Sequence, residues 1–151
     1  MENKYMQQAK ELLAQKEENT CAIVWKADAG KEPYVSEYKG IRPIMEFLKK
    51  GESLKGAYIA DKVIGKAAAF LMVYGGAVSV YARVISGAAK DVFSKAGVCC
   101  EFEKEVPYII NRKDDGICPV EVLCKDCVTA AQCLPLIREF VTKISTSKRI
   151  I

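Results

Sequence analysis

Cys118 is followed at once by Pro119 and, three residues on, by Glu121. Proline pre-sets the first turn of a helix, where its missing N–H costs nothing. The run therefore predicts a helix that begins at Cys118. A thiol at a helix N-terminus holds more thiolate near neutral pH; a neighbouring Arg112 or lysine would add to that effect and Glu121 would oppose it. The same run also fits a plain helix start with a negative charge in its first turn. A second group is Asp61, Lys62 and Lys66, at the head of a run too apolar for a surface helix. Asp61 reads as an N-cap, and two lysines four residues apart share one helix face. They are expected to line a pocket and bind an anion, the alternative being lysines that snorkel to solvent. Ser86 reads as a further N-cap, and Asn111-Arg112 either as turn residues or as a clamp for phosphate or carboxylate. Cys118, Glu121 and Asp61 are thus the candidate catalytic residues. Lys62, Lys66, Ser86, Asn111 and Arg112 are the candidate ligand contacts.

These groups need a scaffold to bring them together. Met6, Ala9, Leu12 and Leu13 recur at helical spacing and predict a helix over residues 2–16. Cys21 to Lys26 reads as a strand apolar on both faces. The turn residues Asp28-Ala29-Gly30-Lys31 lead to a returning strand from Tyr34 to Tyr38. A helix is expected between Gly40 and Gly51, with Pro43 in its first turn. A short buried strand from Ala57 to Ala60 precedes the helix capped by Asp61 and closed by Gly75-Gly76. A strand from Ala77 to Ile85, a helix from Ser86 to Gly97 and a strand from Val98 to Glu103 follow. Pro107 to Ile110 is expected to be extended, residues 111–117 to form a polar loop, and a last helix to run from about Leu134 to Ile144. A hairpin followed by alternating strands and helices predicts an α/β domain over residues 1–151, with a mixed sheet between helices. Asp61, Ser86 and Cys118 should then share the carboxyl edge of the parallel strands, where such sheets bind ligands.

The 151 residues are half apolar, enough for one sizeable core, and the net charge is only +4. Lys143, Lys148 and Arg149 read as a solvated terminus, and no arginine–aromatic alternation supports nucleic-acid binding. Val63 to Val80, the longest apolar stretch, is interrupted by Lys66 and by Gly65, Gly75 and Gly76, which argues against a membrane span. With no signal-like start either, a cytoplasmic protein is expected. There is no histidine, which removes the commonest general base and zinc ligand. Seven cysteines suggest free thiols, metal ligands or a reactive thiol rather than a disulfide framework. Cys118, Cys124, Cys127 and Cys133 have spacing that can hold zinc or an iron–sulfur cluster. A helix, however, would keep Cys124 and Cys127 on one face and Cys118 away from them. Small buried thiols are the expectation, with no metal assigned and the cofactor left unknown. Cys21 reads as structural, and Cys99-Cys100 as a strand pair pointing to opposite faces.

The Asp61-Lys62-Val63-Ile64-Gly65-Lys66-Ala67-Ala68 run, the Ala82 to Ser86 segment, and Asn111-Arg112 with Gly116-Ile117-Cys118-Pro119-Val120-Glu121 together resemble the DUF1893 family. The resemblance runs from about Cys21 to the last helix. It implies a three-layer α/β/α sandwich with a cytidine-deaminase-like fold and a central five-stranded sheet. Active deaminases place a histidine or cysteine, then a glutamate two positions on, at one helix start, and a Pro-Cys-x-x-Cys run at the next. This chain offers Asp61, Lys62 and Val63 at the first place and Cys118-Pro119-Val120-Glu121 at the second. The resemblance therefore implies zinc chemistry lost or altered. It leaves three expectations open. The first is a pocket for a small anionic ligand, such as a phosphate-bearing or nucleotide-derived metabolite. The second is a metal-dependent hydrolase using Asp61, Cys118 and Glu121. The third is a non-catalytic or redox-sensing binding module. A homodimer is implied by the resemblance alone.

Overall fold

The structure, a computed structural model, describes residues 3–38, 44, 53–109, 122–129 and 131–139. Helix α1 (Lys4–Gln15) begins where the Asn3 side chain accepts from the Tyr5 N–H at 2.7 Å. It ends near buried Asn19, whose side-chain amide donates to the Leu12 carbonyl at 2.9 Å. Its Met6, Ala9 and Leu13 form the buried stripe that the spacing predicts. Strand β1 (Cys21–Val24) is buried at all four positions. A single 3-10 turn at Ala27–Ala29 leads to β2 (Tyr34–Ser36), paired antiparallel to β1.

Strand β3 (Tyr58–Ile64) pairs antiparallel with β1 on one side and parallel with β4 (Ser79–Ser86) on the other. Strand β5 (Cys99–Val106) continues the parallel part, so the five strands run β2-β1-β3-β4-β5. Helix α2 (Lys66–Gly75) links β3 to β4, and α3 (Gly87–Ala96) links β4 to β5. Residues 131–139 are helical as well, three residues earlier than the expected start. This is an α/β fold around a mixed five-stranded sheet, as expected.

Alternation along the strands separates two apolar layers. Ala22, Val24, Tyr58 and Ala60 meet the stripe of α1. Cys21, Ile23, Ile59, Val80 and Ala82 face the other way, into a core filled by Phe70, Met72, Phe93 and Ile137. Cover on both faces explains why β1 is apolar throughout. On the larger core's side the inward positions step by three residues, from Asp61 to Ile64 in β3 and from Ala82 to Ile85 in β4. Both strands shift phase together just before their helices begin.

One boundary differs from the sequence expectation. Asp61 does not cap a helix; it lies within β3, and α2 starts after Gly65. Pairing with β4 extends to Val63↔Val84 and Ile64↔Ile85. A helix starting at Lys62 would have held β-branched Val63 and Ile64 and Gly65 in its first turns, all poor helix formers beside the alanines that follow. The expected helix between Gly40 and Gly51 lies outside the described residues, except for Ile44, which is helical and fully buried. The expected helix starting at Cys118 also lies outside them.

The end of α2 is tightly specified. Gly76 has φ 93°, and the N–H groups of Gly76 and Ala77 donate to the carbonyls of Val73 and Met72, both at 3.1 Å. A methyl group added at Gly75 would come within 2.7 Å of Leu54 Cβ, a fully buried side chain anchored close to its backbone. Gly75→Ala is therefore expected to destabilise the fold by about 1–3 kcal/mol through overpacking. Chemical denaturation of the two proteins checks this.

Candidate functional site at the carboxyl edge of the sheet

The carboxyl ends of β3 and β4 each feed a helix, α2 and α3, so two helix N-termini share this edge as the sequence predicts. They are finished differently. At α3, Ser86 is fully buried and its Oγ accepts from the Ala89 N–H at 3.1 Å. At α2 the N-cap is Gly65, which has no side chain to accept from the first-turn N–H groups. The positive end of the α2 dipole lies here, with Lys66 as its first residue.

Lys62 and Lys66 do not share a helix face, because Lys62 is a strand residue. Lys62 Nζ donates to the Glu17 carbonyl, just beyond α1. Lys66 Nζ donates to the Lys125 carbonyl at 2.7 Å and lies 5.8 Å from the Phe70 ring centre. Of the two, Lys66 is the one that ties the carboxyl edge to the segment bearing Cys124 and Cys127.

Asp61 is buried, with only 4% of its surface exposed. The register sets Ser36, Cys21, Asp61 and Ala82 side by side across four strands. Oδ1 accepts from the Val63 N–H at 3.2 Å, while Oδ2 is buried without a hydrogen-bond partner among the described residues. Burial raises the carboxyl group to about 8; the hydrogen bond from the Val63 N–H and the nearby Cys21 thiol and Lys62 N–H, which favour its charged form, hold it from going higher. The Cys21 thiol is raised too, first by burial and then by the adjacent Asp61 charge. At neutral pH both groups are therefore largely uncharged. Asp61 is a buried acid able to donate a proton, and it does not repel an anion nearby. The apolar setting of Cys21 hid this pairing in the sequence; only the β1–β3 register brings the two together.

The cysteines beyond β5 also depart from expectation. Cys124 and Cys127 are not on a helix face: residues 124–126 form a turn, closed by the Cys127 N–H donating to the Cys124 carbonyl at 3.1 Å. Cys124 is disulfide-bonded to Cys133, so these two are not the free thiols expected. The cause is local. Thr129 Oγ1 accepts from the Gln132 N–H at 3.3 Å, and Gln132 Oε1 accepts from the Thr129 N–H, also at 3.3 Å. This reciprocal capping box starts the final helix early and turns Cys133 back onto Cys124. The threonine–glutamine spacing was the available signal. On β5, Cys99 is exposed and Cys100 partly buried, as the strand alternation predicts. Asn111, Arg112, Cys118 and Glu121 lie outside the described residues.

A depression lined by Trp25, Lys26, Lys55, Tyr58 and Val78 lies at the opposite, amino end of β3 and β4. Among the described residues, no helix is long and apolar enough to cross a membrane.

The family described as a domain of unknown function, DUF1893, matches residues 8–141. The chain belongs to the DUF1893 family. Among solved structures it is similar to a DUF1893 family protein from Thermotoga maritima, at 22% identity and a TM-score of 0.79. That likeness covers 95% of this chain and 92% of the Thermotoga chain. At this identity it shows a shared fold. No curated protein matches the chain. The DUF1893 assignment thus agrees with the motifs that suggested it.

The raised Asp61 makes stability depend on pH. Its folded-state value, about 8, lies above the ordinary 3.8, so the folded chain retains a proton that the unfolded chain loses. That contribution is complete below the lower value and is lost as pH rises through the upper one. Asp61→Asn, which stays neutral, is expected to flatten the fall in stability across this window and to exceed the wild type above it. Unfolding free energies measured across the window check this.

Proposed function

We propose that this domain binds a small anionic ligand, phosphate-bearing and of nucleotide-like size, at the carboxyl edge of β3 and β4. The observation that carries the proposal is the start of α2. It offers first-turn N–H groups with no capping side chain, at the positive end of a buried helix, beside the Lys66 ammonium. The uncharged Asp61 adds no repulsion on the same side of the sheet. Asn111, Arg112, Cys118 and Glu121 enter the proposal on their sequence: Arg112 as a charge partner for the anion, Cys118 as the reactive or contacting group, Glu121 as an acid, base or polar anchor. Ser86, fully buried and bonded to the Ala89 N–H, enters only as the cap that orders the second helix start.

The proposal includes a cytidine-deaminase-like ancestry in which zinc hydrolysis has been lost or altered. With α2 starting at Lys66, its head reads Lys66-Ala67-Ala68. None of these is a zinc ligand or a proton-shuttling glutamate, which supports that view. The metal-dependent hydrolase built on Asp61, Cys118 and Glu121 is the weaker alternative, because Asp61 is engaged with Cys21 inside the sheet. A redox-sensing module is the second reading, favoured by the Cys124–Cys133 disulfide next to the Lys66 contact.

Calorimetric titration with inorganic phosphate, a nucleoside monophosphate and a nucleoside tests the proposal. The two phosphate-bearing probes should bind and the nucleoside should not. Lys66→Ala should weaken binding by about tenfold, the scale of one lost charge-assisted contact. Equal binding of the nucleoside, or an unchanged affinity in Lys66→Ala, would overturn it.

A further inference from the structure

Three cysteines outside the proposed ligand site converge. The sulfur atoms of Cys124, Cys127 and Cys133 all lie within 4.8 Å of one another. All three are buried; Cys127, at 9%, is the most exposed. Two separate devices hold them: the turn from Cys124 to Cys127, and the capping box that places Cys133 one turn into the final helix. Lys66 fixes the same turn from below through the Lys125 carbonyl. A disulfide explains two of the sulfurs; it does not explain the third at the same point.

We propose that reduction of the Cys124–Cys133 disulfide converts this cluster into a three-thiolate site for a soft cation, zinc(II). Zinc–sulfur bonds of about 2.3 Å around a tetrahedral ion set sulfurs about 3.8 Å apart. The cluster reaches that spacing if Cys124 and Cys133 part and Cys127 closes in slightly. The Cα atoms of Cys124 and Cys133 are 5.7 Å apart. Three soft sulfur donors favour zinc over hard cations such as magnesium or calcium. One tetrahedral position is left for solvent or an added ligand.

The redox step is a thiol–disulfide exchange with an external dithiol. The dithiol attacks one protein sulfur, the Cys124–Cys133 bond breaks, and the dithiol departs as its own cyclic disulfide. Its two protons end on Cys124 and Cys133. Zinc then displaces one proton from each of the three thiols, giving a site of net charge −1. Disulfide and metal exclude one another, so metal uptake reports the thiol state of the segment. The site does not rest on the anionic-ligand proposal and stands if that fails.

The test compares the reduced chain, freed of reductant under anaerobic conditions, with the oxidised chain. Cobalt(II) and zinc(II) are the probes, with zinc affinity read by competition against a chromophoric chelator. The reduced chain should take up one equivalent of cobalt with a thiolate-to-cobalt charge-transfer band, and zinc should raise its melting temperature. The oxidised chain should do neither. Cys127→Ser and Cys133→Ser should each weaken zinc binding at least tenfold, while Cys99→Ser, on the edge strand, should match the wild type. No uptake by the reduced chain would overturn the proposal, as would equal uptake by the oxidised chain. Wild-type affinity in Cys127→Ser would also overturn it. The reduced-against-oxidised comparison uses the wild-type chain alone, so it decides the matter even if a variant fails to fold.

Discussion

The double pairing of β3 is the constraint on which the rest of the molecule depends. This strand is hydrogen-bonded antiparallel to β1 and parallel to β4, so it joins the hairpin half of the sheet to its parallel half. Because pairing with β4 continues to Ile64, the strand consumes Asp61, Lys62 and Val63, and the helix cannot start before Gly65. The same register sets Asp61 opposite Cys21 and sends Lys62 toward the end of α1. One ladder thus decides which face of the carboxyl edge each charged group serves: Lys66 heads α2 on the larger core's side, and Lys62 turns to the α1 side.

The electrostatic consequence is that Asp61 adds no negative charge to this edge, where Glu105 at the end of β5 is paired with Lys90. Leaving a carboxylate ionised in this interior would carry a large desolvation cost, and Asp61 avoids it by holding its proton. The uncapped start of α2 and the Lys66 ammonium add positive potential at the end of β3. Lys66 also bonds the turn between Cys124 and Cys127. Through that contact the thiol segment and the helix start share one anchoring side chain.

Much of the scaffold was legible in the sequence because its signals are local. The stripe of α1, the glycine stops after α2 and α3, the Ser86 cap and the two-sided apolar run of β1 each follow from a few neighbouring residues. The head of α2 was misread because Asp61 suits a cap as well as a strand, and only the partner strand β4 chooses between them. The Lys62–Lys66 pairing failed for the same reason, since a four-residue spacing means a shared face only within a helix. The cysteine spacing was visible, but a metal site was set aside in favour of small buried thiols because the closure of Cys133 onto Cys124 depends on the Thr129–Gln132 box, which starts a helix three residues before the apolar stripe does. The Cys21–Asp61 pair was invisible because it joins residues forty positions apart in the chain that only sheet register makes neighbours.

The most direct measurement is an amide NMR titration of the ¹⁵N-labelled chain with a nucleoside monophosphate. If the start of α2 binds anions, the largest shifts fall on the amides of Lys66, Ala67 and Ala68, with smaller ones at Gly87 and Ala88. Saturating shifts confined to the Trp25–Tyr58 depression at the amino end, with residues 66–68 unmoved, would contradict the account.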